Sequence, residues 1–168
     1  MHRGSRRRRH GGVWVAVLVL LAGFGALRLR FLPVTVSGHS MLPTLKNGDW
    51  AWIDRRAYLQ HPPQRHDIVL AHWQGELIVK RVVGLPGEEV AVIDGEVWVD
   101  GQVSSIPHAR LPGNLDLQPG WLPPGRFAVL GDNRSLAEFQ SVHAVLRQDQ
   151  VVGKVVWVIP WGGWRDAN

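Results

Sequence analysis

Two periodicities divide the chain. Residues 13–27 are fifteen consecutive positions without a polar side chain. Beyond residue 30 the apolar positions break into short runs separated by turn residues, at 33–36, 50–53, 68–73, 77–83, 90–93, 97–99, 127–130 and 151–159. Such runs, rich in Val, Ile and Trp, predict β-strands, and their spacing predicts a sandwich or barrel. The uninterrupted run predicts a single helix. A bilayer core needs roughly 20 helical residues, so this run spans one only if it is extended. Gly11 and Gly12 on one side, and Arg28 and Arg30 snorkelling on the other, supply that extension. The resulting division is a basic tail at 1–12, an anchor at 13–30 and a mostly β domain at 31–168.

Local signals refine the β region. Asp94-Gly95 lies between β-rich flanks and fits the two positive-φ positions of a type I′ hairpin turn. Asp100-Gly101 ends the second strand of that hairpin. Residues 104–126 contain Pro107, Pro112, Pro119, Pro123 and Pro124, with Gly113, Gly120 and Gly125 between them, and predict a long surface loop. Short helices are expected only around 55–60 or 135–142. The apolar stretch 151–161, interrupted by Gly153 and Lys154, predicts a central strand.

Charge favours the membrane reading of the helix. Arg3, Arg6, Arg7, Arg8 and Arg9 hold five of the 19 Lys and Arg, and the fourteen that remain equal the 14 Asp and Glu. The net charge of +5 therefore belongs to the tail, and the folded part has no excess with which to bind nucleic acid. Basic residues stay on the cytoplasmic side, which places the N-terminus inside and everything after Arg30 outside. A cleaved secretory signal has an apolar region of similar length, and Ala22, Gly23, Gly25 and Ala26 are small enough for a cleavage site. The run ends in Leu27-Arg28-Leu29-Arg30-Phe31, which favours an uncleaved anchor. The chain has no cysteine, so disulfides, zinc-thiolate sites and cysteine nucleophiles are excluded.

Candidate chemistry lies in two runs. Ser40 follows Gly38 and precedes Pro43, on a turn that presents its hydroxyl and its backbone N–H together. Lys80 interrupts the apolar strand 77–83. Amide hydrolysis needs a nucleophile, a group that takes its proton and donors for the oxyanion. Lysine accepts a proton only when burial lowers its pKa from about 10.4 by several units. With a period of two, Lys80 shares a face with Ile78 and Val82, and Arg81 shares the other with Val79 and Val83. Both faces are apolar, so either can be the inner one. An inward Lys80 is desolvated, and Arg81 beside it would lower its pKa further by repulsion. Taken alone, Ser40 also reads as a turn serine and Lys80 as a snorkelling cation.

Together with Leu130-Gly131-Asp132-Asn133-Arg134, these runs resemble the type I signal peptidases, membrane-anchored serine–lysine peptidases. The pattern Ser-Met-x-Pro-Thr-Leu is met from Ser40 to Leu45, with Gly48-Asp49 following. Lys-Arg-Val-Val-Gly-Leu-Pro-Gly is met from Lys80 to Gly87, and Gly-Asp-Asn-Arg from Gly131 to Arg134. The resemblance implies a signal-peptidase-like antiparallel β-sheet catalytic domain outside the bacterial cell membrane, behind one transmembrane helix. It implies Ser40 as nucleophile, Lys80 as general base, no cofactor, and substrates with Ala-x-Ala before the cut. Gly38, Ser40 and Met41 are then the oxyanion and substrate-binding positions. Pro43, Arg81, Gly131, Asp132, Asn133 and Arg134 form the surrounding structural motif, with Asp132 a turn carboxylate. Gly38 stands where some members have an oxyanion-donating serine, leaving the Ser40 N–H as donor. Where the family has a Ser-x-Asp-Ser-Arg segment that holds the lysine, residues 135–141 carry Ala137, Phe139, Gln140 and Ser141. Ser135 or Ser141 would have to supply the missing hydroxyl.

Other readings stay open at this level. A dedicated peptidase for one pilin-like or conjugation protein would keep the same residues. An inactive membrane-tethered homologue would explain the altered 135–141 segment. A Ser-His-Asp triad would draw on His39, His66, His72 or His143 with Asp49 or Asp67. No histidine pair has metal-ligand spacing with an acid nearby, so no metal is expected. Of nine tryptophans, Trp50, Trp52, Trp157, Trp161 and Trp164 are candidates for the core or for an aromatic surface at the lipid interface.

Overall fold

The computed structural model describes residues 9–105, 111–135 and 143–161. Helix α1 (Arg9–Arg30) is followed by β1 (Phe31–Thr35), β2 (Trp50–Asp54), β3 (Ile68–Trp73), β4 (Glu76–Gly84), β5 (Glu89–Ile93) and β6 (Glu96–Val99). Then come β7 (Gln102–Val103), β8 (Leu117–Trp121), β9 (Arg126–Leu130), β10 (Ala144–Arg147) and β11 (Val151–Ile159). Gly12–Arg30 has a mean hydropathy of 2.1, and none of its apolar stretch is buried among the described residues. At 1.5 Å per residue this stretch rises about 28 Å, close to the thickness of a bilayer core. Its last residue is tied to the domain. Arg30 Nη2 and Nε donate to Asp54 Oδ2 at 2.7 and 3.1 Å, and Arg55 N–H donates to the Arg30 carbonyl.

The strands form two antiparallel sheets, one ordered β1-β2-β11-β3-β4-β9-β10 and one ordered β7-β6-β5-β8. The fold is therefore mostly β behind one apolar helix, as the strand pattern predicts. β11 occupies the centre of the large sheet between β2 and β3. Its Gly153 is required there, because a Cβ would lie 2.4 Å from the Asp54 carbonyl oxygen. One face of the large sheet packs Val69, Ala71, Ile78, Val82, Phe127, Val129 and Leu146. The other packs Val36, Met41, Leu45, Ala51, Ile53 and Leu70. A third cluster, with Val83 and Leu130 against Val92, Val97 and Leu115, joins the two sheets.

Asp94 and Gly95 both have positive φ, at 51° and 73°, as the hairpin turn requires. Asp100 and Gly101 repeat that conformation at 51° and 75°; the pair ends β6 as predicted and turns the chain into a second hairpin with β7. The 104–126 segment also departs from expectation. β8 pairs with β5 inside it, and Pro119 is tolerated because β8 is an edge strand. Residues 55–60 form turns, not a helix. The expected helix at 135–142 falls largely outside the described residues, as does Trp164. Trp50, Trp157 and Trp161 are exposed at 41%, 68% and 72%, so they are surface residues and not core.

Candidate active site

The loop carrying Ser40 is built by short contacts on both sides. Gly38 has φ of +95°, a conformation that costs glycine little, and its N–H donates to Asn47 Oδ1 at 3.0 Å. With that donor committed to Asn47, Gly38 shapes the loop that carries Ser40. Met41 and Leu45 sink into the core, at 2% and 0% exposure, and pin the residues after Ser40. Pro43 sits exposed on the turn that follows.

The segment after β9 holds the same loop from below. A Cβ on Gly131 would lie 2.4 Å from the Ser40 carbonyl oxygen, so only glycine permits this approach. Asn133 N–H donates to that carbonyl at 3.0 Å, and Asn133 Nδ2 donates to the His39 carbonyl at 3.0 Å. Arg134 is buried and donates from Nε to the Gly131 carbonyl at 2.6 Å and from Nη1 to Gly95 O. Asp132 accepts from Arg81 Nε and Nη2 at 2.8 and 2.6 Å, and from Thr44 Oγ1 at 2.5 Å. The Gly-Asp-Asn-Arg box thus connects the Ser40 loop to β4.

On β4, Lys80 is 4% exposed and its Nζ lies 2.7 Å from Ser40 Oγ. The ammonium position is also held by the Val79 carbonyl at 3.1 Å. Burial lowers the Lys80 pKa from 10.5 to about 8, against a smaller upward pull from Asp132. The expected repulsion from Arg81 is not a cause. Arg81 points to the opposite face, where Asp132 neutralises it and its Nη1 donates to the His66 carbonyl. Ser135 does not hold the lysine either, since its hydroxyl donates to Asn133 Oδ1 at 2.6 Å. Residues 136–142, with Ala137, Phe139, Gln140 and Ser141, lie outside the described residues.

A cleft of about 570 Å³ runs away from this pair between residues 34–41 and 76–80, with Leu70 in its floor. Its β4 wall is an open edge. β9 pairs with Arg81, Val82 and Gly84 only, and among the described residues no strand lies beside residues 76–80 on that side. Val82 exchanges main-chain bonds with residues 66 and 67, on the β3 side. Alternation then turns the main-chain groups of Leu77 and Val79 toward the cleft.

Val79 is a contact that residue types could not reveal, because it contributes a carbonyl. Thr44, part of the first motif, donates to Asp132 and accepts from Arg81 Nη2 at 3.4 Å. The carboxylates proposed for a triad are occupied elsewhere. Asp49 accepts from the N–H groups of Lys46 and Trp161, and Asp67 binds Tyr58 Oη, Gln64 N–H and Lys154 Nζ. Among the described residues, no group of His, Asp or Glu side chains could hold a metal.

The family described as "Signal peptidase, peptidase S26" matches residues 9–161. The chain belongs to this family. It is a peptidase, hence a hydrolase. Signal peptidase I of Bacillus caldolyticus is 35% identical over 168 residues, covering 90% of each chain. Probable signal peptidase I-1 of a Synechocystis strain is 33% identical over 151 residues, covering 84% of this chain and 75% of its own. A crystal structure of a signal peptidase I from Enterococcus faecalis aligns with a TM-score of 0.44 at 25% identity, covering 56% of this chain and 97% of that one.

Proposed function

We propose that this chain removes signal peptides from exported preproteins, with Ser40 as nucleophile and Lys80 as general base. The observation that carries the reading is the 2.7 Å contact between Ser40 Oγ and a buried Lys80 Nζ whose pKa is lowered to about 8. A neutral Lys80 takes the Ser40 proton as Oγ attacks the scissile carbonyl, and the Ser40 N–H faces the developing oxyanion. Lys80 then protonates the leaving amine, and a water activated by the same nitrogen hydrolyses the ester.

The open edge of β4 suits an extended peptide, which would add main-chain bonds to Leu77 and Val79. Alternate side chains of an extended peptide point the same way, so the first and third residues before the cut share one wall. That wall is backed by the buried Met41 and Leu70, which favours small side chains such as those of Ala-x-Ala. Gly12–Arg30 anchors the chain across the bacterial cell membrane, with the arginine-rich tail in the cytoplasm and the β domain outside. Exposed Trp50, Trp157 and Trp161 provide an aromatic surface for the lipid interface.

The test is cleavage of a preprotein with Ala-x-Ala before its junction. Ser40→Ala and Lys80→Met are each expected to lower kcat/KM by roughly 10³-fold or more. Wild-type turnover in either variant would sink the assignment.

A further inference from the structure

The region where α1 meets the domain is not used by the peptidase chemistry. A second cleft of about 570 Å³ opens there, lined by Arg30, Arg56 and Lys154 together with Asp54, Leu59 and Val156. Its charges are arranged in depth. Asp54 and Asp67, which pair with Arg30 and Lys154, have side chains only 8% and 9% exposed. The Arg30 and Lys154 side chains are 52% and 39% exposed, so the carboxylates lie below and the cations face the opening. Arg30 spends Nε and Nη2 on Asp54, and among the described residues its Nη1 makes no hydrogen bond. Arg56 is exposed; its backbone N–H donates to Asp54 Oδ1 and its charge acts on that carboxylate, but among the described residues its guanidinium makes no salt bridge. Leu59 and Val156 stand at the rim at 74% and 49% exposure.

Arg30 is also the last residue of the apolar helix. With Gly12–Arg30 crossing the hydrocarbon core, this cleft sits at the level of the lipid phosphates. We propose that it binds the phosphate of an anionic glycerophospholipid on the outer face of the membrane. This inference rests on the anchor assigned under the proposed function. A guanidinium presents paired N–H groups to phosphate oxygens, while Leu59 and Val156 meet the glycerol and upper acyl region. A zwitterionic headgroup fits less well, because it brings its own ammonium to a rim that is already cationic. Occupancy would fix the height of the domain above the bilayer.

Native mass spectrometry of the detergent-solubilised full chain tests this, with phosphatidylglycerol, phosphatidylcholine and inorganic phosphate titrated separately. Phosphatidylglycerol is expected to bind at least about fivefold more tightly than phosphatidylcholine, the contribution of about one interfacial cation. Arg56→Gln should remove most of that preference. Arg147→Gln, on the opposite edge strand, should leave it unchanged. Equal retention of the two lipids, or a preference insensitive to Arg56→Gln, overturns the site. Displacement of the lipid by inorganic phosphate at equal concentration identifies a free-anion site and also overturns it. Carbonate extraction of the chain from phosphatidylglycerol vesicles tests the anchor separately. Resistance to extraction without headgroup preference sinks the site and leaves the anchor. Release by carbonate sinks the anchor, whatever the titration gives.

Discussion

Lys80 and Arg81 are neighbours on one strand, both basic and both buried, at 4% and 2% exposure. Their partners differ. Arg81 faces a carboxylate, Asp132, through two hydrogen bonds, and a third bond goes to the His66 carbonyl. Lys80 faces a hydroxyl and a carbonyl, neither of which carries charge. A guanidinium cannot shed its proton, so burying one demands a counterion. An amine can shed its proton, so burying it without a counterion lowers its pKa instead, here to about 8. Burial is common to both residues, and the partner decides which is held as a structural cation and which is free to give up its proton.

The most severe way to break the contrast is Lys80→Arg, which puts a permanent cation where no carboxylate waits. We expect kcat/KM for an Ala-x-Ala preprotein to fall roughly 10³-fold or more, with no recovery as pH rises. Asp132→Ala breaks it from the other side by leaving Arg81 buried and unpaired. Denaturant unfolding should show a loss of about 3–5 kcal/mol.

Lys80→Met tests the cost of burying the amine. The fall from 10.5 to about 8 corresponds to about 3 kcal/mol of destabilisation while the unfolded lysine is protonated. Between about 8 and 10.5 the unfolded chain binds more protons than the folded one, so wild-type stability rises with pH across that window. The variant should therefore be about 1–3 kcal/mol more stable than wild type at pH 7, after the lost hydrogen bonds are counted. The advantage should shrink toward pH 10, and urea titrations at both pH values measure it.

The same lowered pKa predicts that wild-type kcat/KM rises with pH and levels off above about 8, because only the neutral amine accepts the Ser40 proton. A flat profile between pH 6 and 9 would contradict this. The smallest effect is expected at Asn133, which holds the Ser40 loop by its side chain and main chain. Asn133→Ala keeps the N–H but loses the His39 contact. It should lower kcat about tenfold with KM little changed, measured on the same preprotein.

Much of the architecture was legible in the chain. Strands 68–73 and 151–159 emerge with the limits that the hydrophobic runs predict, because central strands are marked by continuous apolar residues. β7, β8 and β10 were missed for the opposite reason. They are short or at an edge, and Pro119, Gly120 and Arg147 obscure their pattern. Ser40, Lys80 and the Gly131–Arg134 box stood out by motif. The Val79 carbonyl did not, since any residue there offers the same group. The Arg81 repulsion was misread because strand alternation gives the face of a side chain but not its counterion. Hydrophobicity alone does not distinguish a core from a surface, so the tryptophans stay open between the two in the sequence, and the structure places Trp50, Trp157 and Trp161 on the surface.

By itself, the sequence determined the apolar helix, the large-sheet strands, the neutrality of the folded part and the residues able to do the chemistry. These follow from local periodicity and charge, which each segment carries alone. Only the tertiary structure decided which partner each basic residue meets, because that depends on contacts between residues far apart in the chain. It brings Ser40 to Lys80 and Asp132 to Arg81, across separations of 40 and 51 residues. Two adjacent cations thereby acquire opposite electrostatics.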